Sequence, residues 1–111
     1  MTRVICDCGR SYTPSQKYRD PRVRCNICLR SISRAEVKVK AVEYLGGKCK
    51  DCLHYFHPVI YDFDHRDEQD KEFNISSNYR FRWVELKREL DKCDLRCANC
   101  HRLRHYLQHP P

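Results

Sequence analysis

The sequence predicts a small α+β protein in two cysteine-bounded parts, residues 1–32 and 33–111. Three observations carry that expectation: the cysteines fall in four close pairs, an alternating apolar stretch lies in mid-chain, and two segments repeat apolar residues at helical spacing. A chain of 111 residues buries a modest share of its surface, so a hydrophobic core alone would leave it marginal. Something besides the core has to hold it.

The cysteine spacing says what. Cys6, Cys8, Cys25 and Cys28 read C-x-C…C-x2-C, with Gly9 after the first pair, while Cys49, Cys52, Cys97 and Cys100 read C-x2-C…C-x2-C. Two thiolates two or three residues apart converge on one face of a tetrahedral ion, about 2.3 Å from each sulfur. Two structural zinc ions are therefore expected, one per quartet, with Cys93 left as a free buried thiol. No signal-like apolar stretch follows Met1 and no run reaches membrane-spanning length, so the chain reads as an intracellular, reduced, zinc-bound protein with no membrane partner.

Charge is uneven. Residues 1–50 hold 12 Lys/Arg against 4 Asp/Glu and residues 51–111 hold 10 against 11, so the formal +7 comes from the first half. Eight zinc-bound thiolates and two zinc ions would bring +7 down to +3, which weakens composition alone as a sign of a nucleic-acid partner.

The elements follow in order. Residues 1–32 form a zinc-ribbon-like module around "CDCG" and "RCNIC". "SRAE" is a capping box from Ser33 to Glu36, and it starts a helix whose Val37, Ala41, Tyr44 and Leu45 share a core-facing side; Gly46 or Gly47 stops it. In "FHPVIYDFDH", Val59, Tyr61 and Phe63 alternate as a strand does, with Pro58 at its start. "RDEQDKEFNISSN" is polar and reads as a loop. Trp83, Leu86 and Leu90 then mark an amphipathic helix with Trp83 in the core, "CDLR" a short strand, and "CANC" a knuckle turning into a last helix through His105.

Zinc held by four cysteines has no open position and is structural. That leaves the histidines and carboxylates to do any chemistry. Asp64 and His65 end the expected strand, and His101 follows Cys100 at the head of the last helix. The second quartet would clamp strand end to helix head. A carboxylate and an imidazole converging there can hold a hydrated divalent metal, and a second imidazole can take a proton from water; free imidazole titrates near about 6.5, suited to that task. His54, His57 and His109 read as surface residues.

"LGGKCKDC", "YDFDHRDEQDKEFNIS", Trp83 and "ELDKCDLRCANCHRLRH" resemble, in order and spacing, the zinc-containing HNH endonucleases of the ββα-metal superfamily, common in phages and bacteria. The likeness runs over residues 37–106, roughly two thirds of the chain. The resemblance implies His65 as general base, Asp64 and His101 on a catalytic Mg²⁺, Mn²⁺ or Ni²⁺ ion, DNA as substrate, and a bacterial or phage-infected cytoplasm. It is incomplete at the middle asparagine, since Lys92, Cys93 and Asp94 stand where many members carry it. Asn99 inside the knuckle is the nearest asparagine, a catalytic candidate or a residue that bonds the turn; His105, one turn beyond His101, is the competing metal ligand.

Candidate DNA contacts are Lys17, Arg19, Arg22 and Arg24 between the first cysteine pairs, and Arg102 and Arg104 on the last helix. The first cluster equally suits a solvated face. The expectation is a metal-dependent endonuclease; the alternative is a non-catalytic zinc-module protein that binds nucleic acid or a partner. A pure binder has no need of an Asp-His pair tied to a histidine after the knuckle.

Overall fold

Residues 3–14 and 20–110 are described by the structure, a computed structural model, so the expectations placed on Lys17 and Arg19 lie outside the described residues. Val4–Ile5 (β1) pairs antiparallel with Ser11–Tyr12 (β2). The cysteine knuckle makes the turn between them: Gly9 sits at φ +87°, left-handed backbone that costs glycine little, and its N–H donates to Cys6 O at 2.8 Å. A six-residue helix, α1 (Asn26–Ser31), follows Cys25 and carries Cys28. The sequence offered no periodicity for so short a helix.

Helix α2 (Arg34–Tyr44) begins as its capping box predicts, with Ser33 Oγ accepting from the Glu36 N–H at 3.4 Å. Its buried side is Val37, Ala41 and Val42, whereas Tyr44 is exposed and stands edge-on to Trp83. The expected stripe therefore shifts by a residue at its end, because α2 lies between two apolar clusters and turns Val42 into the second. Gly46 and Gly47, at φ +101° and +79°, carry the chain out of the helix.

The mid-chain strand is shorter than its alternation suggested. Pro58–Ile60 is a 3-10 turn with His57 Nδ1 accepting from the Val59 N–H, and Val59 is 71% exposed. Proline at the first turn position, capped by the residue before it, favours the tight turn over extension. Strand β3 is Tyr61–His65. The loop after it holds two 3-10 turns, then come α3 (Trp83–Leu90), β4 (Cys93–Cys97) and α4 (Ala98–Gln108).

β3 and β4 are antiparallel, with Tyr61 opposite Cys97 and His65 opposite Cys93. Strand alternation puts Tyr61, Phe63 and His65 on one face and Asp62 and Asp64 on the other. On the first face lies the main core, where Leu86 and Leu90 of α3 are fully buried with Val37, Ala41 and Phe81. The module of residues 1–32 shares that core: Val23 bridges Phe81, Arg24 N–H donates to Arg80 O at 3.0 Å, and Arg82 N–H donates to Arg22 O. Among the described residues no helix is long and apolar enough to cross a membrane.

Candidate functional site

Both cysteine quartets are assembled, and in each the four sulfurs lie within 4.8 Å of one another. Sulfurs at the corners of a tetrahedron around an ion about 2.3 Å away stand about 3.8 Å apart. The Cys6–Cys28 and Cys8–Cys25 sulfurs, 3.5 Å and 3.6 Å apart, fit that edge. Burial pushes the Cys49 thiol up, yet bonds from the amides of Cys52, Cys97 and Asp51 outweigh it and bring it down to about 6, whereas its bond to Cys97, with burial, raises Cys100 to about 12, so the four crowded sulfurs share protons that a bound metal would displace. Cys93 takes part in neither quartet; its Sγ donates to Glu89 O at 3.4 Å and burial lifts its pKa to about 12. Elemental analysis of the reduced protein should give two zinc ions per chain with one thiol slow to react with alkylating reagents; one zinc, or a disulfide in either quartet, would contradict the assignment.

The second quartet joins residues 49–52, ahead of β3, to the β4–α4 junction. Cys97 caps α4, its Sγ accepting from the Cys100 N–H at 3.4 Å. The head of α4 is thereby fixed against the outer face of β3. His101 Nδ1 lies 2.9 Å from Asp62 Oδ2 and His101 Nε2 lies 3.7 Å from Asp64 Oδ1. A carboxylate accepts only, so Nδ1 carries a proton, and in the neutral ring the lone pair is on Nε2, the nitrogen nearer Asp64. Metal-binding histidines are commonly held in that tautomer by a carboxylate on the far nitrogen. Asp64 Oδ1 and His101 Nε2 thus offer two ligand atoms on one side of the hairpin. Among the described residues, groups of three or more ligand side chains are confined to the cysteine quartets.

The other oxygen of Asp64 is occupied. Arg96, 2% exposed, donates from Nη1 to Asp64 Oδ2 at 2.6 Å and from Nε to Asp51 Oδ2 at 2.9 Å, with Nη2 3.4 Å from Asp94. The need is visible in the register: Asp64 stands directly opposite Asp94, and like charges across a strand pair repel. Burial pushes the Asp94 carboxyl up, but Lys50 and Arg66, then Arg96, hold it below the usual range. A polar cavity of about 450 Å³ opens beside this network, lined by Asp64, His65, Asp94, Arg96 and Arg104 among others.

His65 faces the core side of the hairpin end. Its Nε2 is 2.8 Å from Glu89 Oε2 on α3, and both side chains are almost wholly buried. Its Nδ1 has no hydrogen-bond partner among the described residues. His65 is among the residues that line the polar cavity beside Asp64. Asp64 and His65, adjacent in sequence, therefore lie in different packing environments that meet at the cavity.

The remaining candidates are placed as follows. Asn99 is exposed on the first turn of α4. His105 is exposed, its ring 4.9 Å from that of His109, while His101 and not His105 is the histidine beside Asp64. Arg102 and Arg104 are exposed on α4. Arg22 is held by Asp20 in a two-pronged bond and lies over the Phe81 ring at 4.5 Å; Arg24 Nε donates to Phe81 O at 2.9 Å. Those two arginines join the module to the domain. His54, His57 and His109 are on the surface as expected.

Sequence reasoning passed over Asp62, Glu89 and Arg96. Asp62 was legible, since two residues before Asp64 is the same face of a strand. Glu89 left a fainter signal, an acid between Leu86 and Leu90 on the apolar side of a helix. Arg96, between Leu95 and Cys97, left none. Comparison with models of known protein families finds no match, and neither curated proteins nor solved structures match this chain.

Proposed function

We propose that the chain is a metal-dependent endonuclease of the HNH type, hydrolysing phosphodiester bonds of DNA, with β3, β4 and α4 as its ββα-metal unit. The observation that carries the reading is the approach of His101 Nε2 to Asp64 Oδ1, 3.7 Å apart, beside a cavity that His65 also lines. Asp64 and His101 would hold a divalent ion, which when bound neutralises charge on the phosphate and the leaving oxygen. Asp62 fixes the His101 tautomer and Arg96 fixes the Asp64 rotamer, so both ligands are oriented before a metal arrives. His65 accepts a proton from water as its oxygen bonds to phosphorus; the bond from phosphorus to the 3′-oxygen breaks, and solvent protonates that oxygen. The ends are a 5′-phosphate and a 3′-hydroxyl. Arg104, which lines the cavity, and the exposed Arg102 would meet the DNA backbone.

One observation favours the rival, a zinc-module binder without catalysis: Asp64 already has a cation, Arg96, on one oxygen. Supercoiled plasmid incubated with the zinc-loaded protein separates the two readings. Nicking that requires added Mg²⁺, Mn²⁺ or Ni²⁺ is expected, and DNA binding without nicking in any of the three would support the binder. Asp64→Asn should keep both zinc ions and the fold, because Arg96 retains Asp51 and Asp94, while activating-metal affinity falls by about 10-fold or more. Wild-type cleavage by that variant would remove Asp64 from the site.

A further inference from the structure

Glu89 sits on α3 at 1% exposure, where an ionised carboxylate is costly unless its lone pairs are filled. They are filled. Oε2 accepts from the Glu72 N–H at 3.0 Å and lies 2.8 Å from His65 Nε2, while Oε1 accepts from Lys92 Nζ at 2.9 Å. Burial pushes the Glu89 carboxyl up, but Lys92, the Glu72 amide and His65 together hold it below the ordinary carboxylate range. Lys92 also donates to Asp70 O at 2.9 Å, so the loop after β3 is tied to the same carboxylate.

We propose that Glu89 is a positioning residue for His65, gripping the imidazole at Nε2 so that the lone pair of Nδ1 is presented to the cavity beside Asp64. The argument is one of donors and acceptors. A carboxylate accepts only, so the nitrogen facing it carries the ring proton, and a neutral imidazole has one such proton. The lone pair is then on Nδ1, the nitrogen without a partner among the described residues, in a side chain that lines the cavity with Asp64. With Nε2 protonated and held, the ring can neither flip nor change tautomer without leaving Glu89 unmatched in the core. A base oriented by a buried acid behind it is a recurring arrangement for proton abstraction. The proposal rests on the reading of His65 as the base; the grip itself does not.

Two variants of the full zinc-loaded chain test it, Glu89→Leu and Glu89→Gln. Glutamine can set its single carbonyl oxygen where Oε2 now meets His65 and the Glu72 amide, with Lys92 turning toward Glu72, 3.6 Å away. Long-range ¹⁵N–¹H correlation on ¹⁵N-histidine protein reads the tautomer directly. The expected result is the Nε2–H form of His65 in wild type and Glu89→Gln, and its loss in Glu89→Leu. Plasmid nicking should fall at least about tenfold in kcat for Glu89→Leu, with KM unchanged, and be largely kept by Glu89→Gln. A wild-type His65 with its proton on Nδ1 overturns the proposal, and so does a Glu89→Leu chain that nicks less with the tautomer intact, since Glu89 would then serve stability alone. Should Glu89→Leu fail to fold, the wild-type and Glu89→Gln tautomers still decide. A wild type that fails to nick in Mg²⁺, Mn²⁺ and Ni²⁺ alike sinks the nuclease reading, while the tautomer measurement judges the grip of Glu89 separately.

Discussion

His65→Ala is expected to lower plasmid nicking by about 10²–10⁴-fold, the range that a positioned general base contributes, or about 3–5 kcal/mol of barrier. The structure adds a cost that a surface base would not carry. With its side chain 4% exposed against Glu89, His65 leaves a void and one fewer donor on a buried carboxylate when it is truncated. Removing a partner from a buried polar group costs about 1–3 kcal/mol, more for a charged one, which in a domain of this size lowers Tm by several degrees, at about 2–8 °C per kcal/mol. The two losses separate by temperature. Well below the lowered Tm the variant should be folded, keep both zinc ions and bind DNA as the wild type does, and nicking should still be lost by the full factor. Cleavage that tracks the folded fraction would make His65 a structural residue, and undiminished cleavage by a folded variant would end its assignment as base.

Cys97→Ser should release the second zinc ion and unfold the β3–β4–α4 region. A structural zinc contributes about 10–16 kcal/mol of apparent binding energy that is also folding energy, against about 5–15 kcal/mol for the whole stability of a typical domain. Cys97 is also placed to do more than bind metal: it is 3% exposed, pairs with Tyr61 across the hairpin and caps α4. Cys93→Ser is the matched control, four residues away on the same strand. Its hydroxyl can take over the bond to Glu89 O, so two zinc ions per chain and a folded spectrum are expected. Circular dichroism with zinc analysis on both variants checks this. A Cys97→Ser chain that keeps two zinc ions would remove Cys97 from the quartet, and a Cys93→Ser chain that loses one would place Cys93 in it.

The nuclease reading and the zinc reading thus fail on different measurements. Zinc stoichiometry speaks to the scaffold, and metal-dependent nicking to the proposed site at Asp64, His65 and His101.

What the sequence by itself determined was set by neighbours along the chain. The ligand spacing of Cys6 and Cys8, or of Cys97 and Cys100, is a matter of two or three residues, and the structure assembles both quartets as read. The start of α2 at Ser33 follows from one side chain reaching an amide three residues on. The two faces of β3 follow from strand alternation, which already separates Asp62 and Asp64 from His65. Even so, local pattern failed at Val59, where apolar alternation ran into a turn set by Pro58 and His57.

Only the tertiary structure decided which distant groups meet. Arg96 among Asp51, Asp64 and Asp94, His101 between Asp62 and Asp64, and His65 against Glu89 join residues up to 45 positions apart. None of these pairings has a local signature, because an ion pair depends on distance and desolvation, and both are set when helix, strand and loop pack together. The N-terminal module is the same case at larger scale. Its cysteines announce it as a unit, but Val23 and Arg24 dock on residues 80–82 because the apolar surface and the backbone partners they meet lie on the other part of the chain.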